Sequence, residues 1–175
     1  MKDPIDIRVL TASSDREVDG LCDVLIDCVA GGASVSFMWP MTRAKAEQFW
    51  RKAAASVARN ERVILAAYDA QRAIVGTVSV IWAEPENQPH RADVAKMLVH
   101  RGARRQGVGA ALVEAAERVA REAGKTLLVL DTVTGADAER LYARLGWQRC
   151  GVIPNYALWP DGRPCATTVF FKSLV

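Results

Sequence analysis

Two glycines one residue apart, with a pair of arginines just before them, form the segment of this chain best suited to holding a ligand: Arg104-Arg105-Gln106-Gly107-Val108-Gly109. Glycines there let the backbone turn tightly and bring successive N–H groups up to an anion. A helix starting at that point adds the positive end of its dipole, and Arg104 and Arg105 add full charges. The chemistry implied is the holding of a polyanion, most naturally a pyrophosphate. Side chains able to transfer a proton include Asp93, Asp131 and Tyr142. An exposed Asp has a pKa of about 3.9 and is a weak base, so burial or a shared site would have to raise it. Each candidate also has a plain structural use: Asp93 can pair with Arg91, Asp131 can cap a following helix, and Tyr142 can be core.

The glycine loop admits more than one anion. A nucleoside-triphosphate loop needs Gly-x-x-x-x-Gly-Lys-Ser/Thr, and no such Lys follows here. A dinucleotide-binding βαβ unit is closer, with a strand over Leu127–Leu130 ending at Asp131, near the spacing of a ribose-binding carboxylate (roughly 20 residues on). The third glycine position is Leu112, however, and His100–Gln106 separates the strand from the first glycine.

These residues need elements to position them. Val94–Val99 reads as a strand before the loop, and Val108, Leu112, Ala116, Val119 and Ala123 mark one face of a helix after it, ending near Gly124. Upstream, Ile5–Val9 alternates as a strand. Ser13 or Ser14, with Glu17, can cap a helix whose stripe is Val18, Leu21, Cys22, Leu25 and Val29 and which Gly31-Gly32 stops. Thr42 caps a second helix running to about Asn60. Arg62–Tyr68 and Ile74–Trp82, joined by a polar turn, predict an antiparallel hairpin, followed by an acidic, proline-rich loop at 84–89. Thr126–Leu130 is a strand, Ala136–Leu145 a helix stopped by Gly146, and Trp147–Val152 and Thr167–Lys172 the last strands, with a long loop between them. The aromatic segment Phe37-Met38-Trp39 either folds under the second helix or walls an acceptor pocket. Phe37, Trp39, Trp82, Asn155 and Tyr156 are the candidates for that pocket.

At 175 residues and 50% hydrophobic content, the chain has the length of one domain, 1–175, with a substantial core. A net charge of +3, with acids and bases interspersed, argues against a nucleic-acid binder. Lys96, Arg101, Arg104 and Arg105 gather near one loop in sequence, which suits a small anionic cofactor. Cys22, Cys28, Cys150 and Cys165 show no Cys-x-x-Cys spacing, and His90 and His100 are the only histidines, so no metal site is expected. The first residues show no apolar signal region and no run approaches membrane-spanning length, so the expected place is the cytoplasm, without a membrane partner. A homodimer is left open.

The loop also fits Arg/Gln-x-x-Gly-x-Gly/Ala, the coenzyme A loop of the GNAT (Gcn5-related N-acetyltransferase) superfamily, at the same place between strand and helix. Leu141-Tyr142-Ala143-Arg144-Leu145-Gly146-Trp147 resembles the Leu-Tyr-x-x-Leu-Gly-Phe segment that closes that family's cofactor site. The element order β-α-α-β-β-β-α-β-α-β-β is similar as well. Gly31–Met38, Arg91–Val94, Leu130–Thr132 and Pro160–Arg163 with Phe171-Lys172 resemble toxin-resistance members of the family, though Asp93 stands where Glu is expected. Gly135 likewise stands where many members carry a cofactor-binding Asn.

The resemblance implies an α/β (α+β) fold: a mixed, mostly antiparallel sheet of about seven strands, four flanking helices and two splayed central strands. It implies an acetyl-CoA-dependent N-acetyltransferase, without metal, acting on a small-molecule amine. Backbone groups of Met97, Leu98 and Val99 would pair with the pantetheine arm. Arg104, Arg105, Gln106, Gly107, Val108, Gly109 and Ala110 would hold the pyrophosphate, and Tyr142 would protonate the departing thiolate. Other readings are an acetyltransferase acting on proteins or peptides, which would want an open groove, and a non-catalytic acetyl-CoA-binding module, which would need no acid–base pair.

Overall fold

A computed structural model describes residues 5–11 and 14–175. Seven strands form one sheet in the order β1-β2-β3-β4-β5-β7-β6, and β4 with β5 is its parallel pair. The strands are β1 (Asp6–Leu10), β2 (Arg62–Tyr68), β3 (Ile74–Trp82), β4 (Arg91–Val99), β5 (Leu127–Val133), β6 (Gln148–Leu158) and β7 (Pro164–Ser173). The α-helices among the described residues are α1 (Asp15–Ala30), α2 (Arg43–Ala58), α3 (Val108–Glu122) and α4 (Asp137–Arg144). The predicted fold class and element order are those observed.

Local chemistry sets the ends. Ser14 accepts a hydrogen bond from the Glu17 N–H (3.2 Å) and Thr42 one from the Lys45 N–H (3.3 Å), so both helices start where a short hydroxyl satisfies an orphan donor. Ser13 lies outside the described residues. Hydrophobic burial then sorts the helices. Ile64 and Ala66 of β2 face α1 and α2, packing with Leu25 and Trp50, whereas Leu65 and Ala67 face α3, packing with Leu112 and Ala116. Both faces of the central strands are covered, which is why they read as near-continuous apolar runs.

Several strands run longer than expected, β4 starting at Arg91 and β7 at Pro164, and two of the extensions bear on the site. The loop predicted between the last strands is mostly strand: β6 continues to Leu158 through a register shift between Ile153 and Ala157. Pro154 is tolerated there because β6 is the edge strand and a bulge absorbs the missing donor. β5 likewise continues past Leu130, so Asp131 lies within the strand rather than at its end.

A buried polar cluster supports the back of the site. Lys172 Nζ donates to both Glu117 carboxylate oxygens (2.8 Å each) and to the Leu145 carbonyl (2.7 Å), and Trp147 Nε1 donates to Glu117 Oε1 (3.0 Å). Trp147 in turn packs edge-on against Tyr142, with ring centroids 5.7 Å apart. Lys172→Met leaves Glu117 buried with a charge that Arg121, 3.7 Å away, meets only loosely. The variant should lose about 3 kcal/mol of unfolding free energy. Urea denaturation measures it; a loss below about 1 kcal/mol, the scale of exposed pairs, would show that the pair contributes no more than a surface one.

Candidate active site

β4 and β5 pair only at Arg91–Asp93 with Leu127–Val129 and then separate. Their separation opens a cleft of about 1140 Å³. Beyond Asp93, the β4 edge facing β5 has no strand partner, which leaves backbone groups of that edge available to a ligand. Met97, Leu98 and Val99 line the cleft, as do Arg104, Arg105, Gly107, Val108, Gly109 and Ala110. The Val99 carbonyl is already within reach of two donors, Arg104 Nε at 3.2 Å and Cys28 Sγ at 3.5 Å.

At the head of the cleft, Gly107 is the N-cap of α3 with φ of 90°, a conformation that L side chains rarely adopt. No side chain caps this helix. Its first N–H groups are therefore free for an anion, next to the positive end of the helix dipole. Gly109 serves differently. A Cβ there would meet Leu141 Cδ2 at 3.1 Å, with Met97 Sδ and Val99 Cγ2 at 3.8 Å, so glycine keeps the space between β4 and α4 open. Asp27 of α1 anchors the loop, accepting from the Arg101 N–H (2.8 Å) and Arg101 Nε (2.9 Å). This free helix start, with its arginines and open gap, fits a pyrophosphate with a slender thiol arm.

The opposite end is roofed by the 31–42 connector and the β6–β7 hairpin. Ser34 Oγ donates to the Leu158 carbonyl (2.7 Å) and the Trp39 N–H donates to the Pro160 carbonyl (3.1 Å). Phe37 stacks edge-on against Phe49 of α2 at 5.2 Å and lines the cleft, so it serves both as core and as wall. Tyr156 also lines it.

Asp131 and Tyr142 both line this cleft. Asp131 is exposed into it and lies within hydrogen-bond distance of the Thr167 hydroxyl (2.8 Å). Tyr142 is 4% exposed, and burial, with the nearby Asp131 charge second, pushes its hydroxyl well above the ordinary tyrosine value. Tyr142 therefore stays protonated at any physiological pH, the state a proton donor needs.

Several expected site residues lie elsewhere. Asp93 is bound by Arg91 Nη1 (2.5 Å) and does not line the cleft, because alternation along β4 keeps residues 91 and 93 side by side. Trp39 is 56% exposed on the outside of the connector. Trp82 packs at the far end of β3 with Lys125 over its ring at 5.1 Å, and Asn155 sits in the β6 bulge with φ of 54°. The Gln106 side chain turns back to the Gly102 carbonyl (3.0 Å). Lys96 and Arg101 also leave the anion loop, Arg101 for Asp27 and Lys96 for Ser36 Oγ (3.0 Å). Thr167, Arg140 and Arg144 also line the cleft, and no motif in the sequence singles them out. Among the described residues no group of three His, Cys, Asp or Glu side chains comes together as a metal site, and no helix is long and apolar enough to cross a membrane.

The family model of the acetyltransferase (GNAT) family matches residues 23–147. Solved structures share the fold. An N-acetyltransferase from Staphylococcus aureus Mu50 superposes with a TM-score of 0.80 at 15% identity, over 99% of this chain and 100% of that one. The protein yncA from Salmonella typhimurium, solved with its cofactor acetyl-CoA, has a TM-score of 0.78 at 17% identity, over 99% and 95%. A ribosomal-protein-alanine N-acetyltransferase from Brucella melitensis has a TM-score of 0.78 at 20% identity, over 96% and 99%. The glycine loop, the splayed strands and the family match over most of the length agree: the chain belongs to the acetyltransferase (GNAT) family, as an N-acetyltransferase with acetyl-CoA as its cosubstrate.

Proposed function

We propose that the chain acetylates the amine of a small molecule by direct attack in a ternary complex. The observation that carries this reading is the roofed cleft holding Asp131 and Tyr142 together, with a phosphate-ready helix start at its other end. Acetyl-CoA supplies an activated thioester there. Arg104, Arg105 and the first N–H groups of α3 hold its phosphates, and the open edge of β4 positions its arm. Asp131 draws the acceptor ammonium in and orders the water through which its proton leaves, while Tyr142 Oη gives a proton to the departing sulfur. Proximity and a proton path are most of what aminolysis of a thioester needs. The resemblance of Gly31–Met38 and Pro160–Arg163 to the tabtoxin-resistance acetyltransferase supports an amino-acid-like or toxin-like acceptor, and four free cysteines suit a reducing cytoplasm.

A screen of free amines following thiol release from acetyl-CoA tests the reading; turnover of peptide N-termini alone would replace it with the protein-modifying reading that the Brucella melitensis relative's name favours. Asp131→Asn sharpens the test. An α-amino group has a pKa near 8, so below that pH most acceptor is ammonium. The variant should lose kcat/KM on the order of 10–100-fold at low pH, the worth of one charge-assisted hydrogen bond. The defect should shrink as pH rises toward the amine's own pKa. A pH–rate profile parallel to that of the native enzyme would make Asp131 structural.

A further inference from the structure

We infer that the acceptor amine also carries an anionic group, such as a carboxylate, and that Lys96 receives it; this rests on the small-molecule reading above. Strand alternation places Ala92 and Val94 on the α3 face of β4, and would send residue 96 there too. Ser79 pairs with Ala95 but Thr77 with Leu98, so two residues, Lys96 and Met97, oppose one. This bulge, with φ of 51° at Lys96, swings the lysine to the opposite face. Its ammonium ends in the roofed half of the cleft, 6.0 Å from the Phe37 ring centroid and 5.7 Å from that of Phe49. The one hydrogen bond observed for it goes to a neutral partner, Ser36 Oγ. An ammonium has three donors, so two remain for a ligand.

Charge in the cleft divides in two. Arg104 and Arg105 belong to the phosphate loop; Arg140, Arg144 and Asp137 belong to α4, whose Leu141 stands at Gly109, and Asp137 pairs with Arg140. Lys96 and Asp131 are the charged lining residues left for the acceptor. Extending the register of Asp93 with Val129 sets Asp131 level with Ala95, next to Lys96 across the gap. Burial pulls the Lys96 pKa below the usual lysine value, and Asp131 partly restores it. One positive and one negative group lining the same roofed part of the cleft are complementary to a zwitterion. The acceptor ammonium goes to Asp131 and its anion to Lys96, between the aromatic walls.

The test compares free α-amino acids with their carboxamides, and the corresponding simple amines, by thiol release from acetyl-CoA. The native enzyme should prefer the acid by on the order of 10–100-fold in kcat/KM. Lys96→Met should erase that preference by raising KM for the acid, with kcat changed by less than about 3-fold, and Lys96→Arg should keep part of it. Equal turnover of acids and amides by the native enzyme would overturn the inference and leave the small-molecule reading standing. A collapse of kcat in Lys96→Met on acids and amides alike would also overturn it, since Lys96 would then act on the proton. If no free amine is turned over while acetyl-CoA still binds, the small-molecule reading falls and the inference with it.

Discussion

Tyr142→Phe should slow single-turnover acetyl transfer by roughly 10²–10⁴-fold, the range for loss of a general acid, while acetyl-CoA binds as before. The hydroxyl makes no hydrogen bond within the described residues, and the ring is held by Trp147 at 5.7 Å and Phe170 at 6.1 Å. Removing one oxygen therefore leaves the packing intact, and thermal melts of the two proteins should overlay. The pH dependence carries a second signature. Burial first, and the Asp131 charge second, disfavour the phenolate, so the proton stays on Tyr142 beyond the pH at which an ordinary tyrosine, near 10, loses it. Transfer by the native enzyme should thus show no falling limb below pH 10 that Tyr142→Phe abolishes. A single-turnover rate close to native would return Tyr142 to the core and leave the sulfur's proton to come from water.

The fold was legible wherever local pattern and tertiary burial agree. Arg62–Tyr68 and Ile74–Trp82 carry their apolar runs and a polar turn in adjacent sequence, and the observed β2 and β3 have those bounds. The loop at 104–109 was legible for the same reason: a residue with φ of 90° before a helix is written locally, as glycine. Side-chain destinations were not. Lys96 lies close to the arginine loop in sequence, and only the two-against-one pairing with β3 sends it toward Phe37 and Phe49. Asp93 and Asp131 both sit on strands that flank the cleft, yet Arg91, two residues away on the same strand, binds Asp93, while Asp131 lies beyond the last residue of β5 that pairs with β4. Trp82 and Trp39 are aromatic in regions expected to touch the acceptor, and what removes them is where β3 ends and how the connector hangs on Pro160. Such facts depend on strand register and long-range contacts, which no window of sequence contains.

Acetyl-CoA should bind Gly109→Trp at least about 100-fold more weakly than the native protein, the equivalent of losing two charge-assisted hydrogen bonds. Glycine at 109 is not required by its own backbone, which is helical; it is required by what faces it. The Cβ direction points at Leu141 Cδ2, Met97 Sδ and Val99 Cγ2, so an indole would lie across the mouth between β4 and α4, over the start of α3. Gly109→Ala supplies the graded control. Its methyl meets the flexible end of Leu141 at 3.1 Å, which can give by a few tenths of an ångström, so the affinity should fall only by about 10-fold or less, the worth of one methyl-sized adjustment. Alanine also favours a helix over glycine by about 1 kcal/mol, so this variant should melt no lower than the native protein. Isothermal titration of acetyl-CoA into both variants, each checked by circular dichroism, separates obstruction from unfolding. A folded Gly109→Trp with native affinity would place the pyrophosphate away from the start of α3.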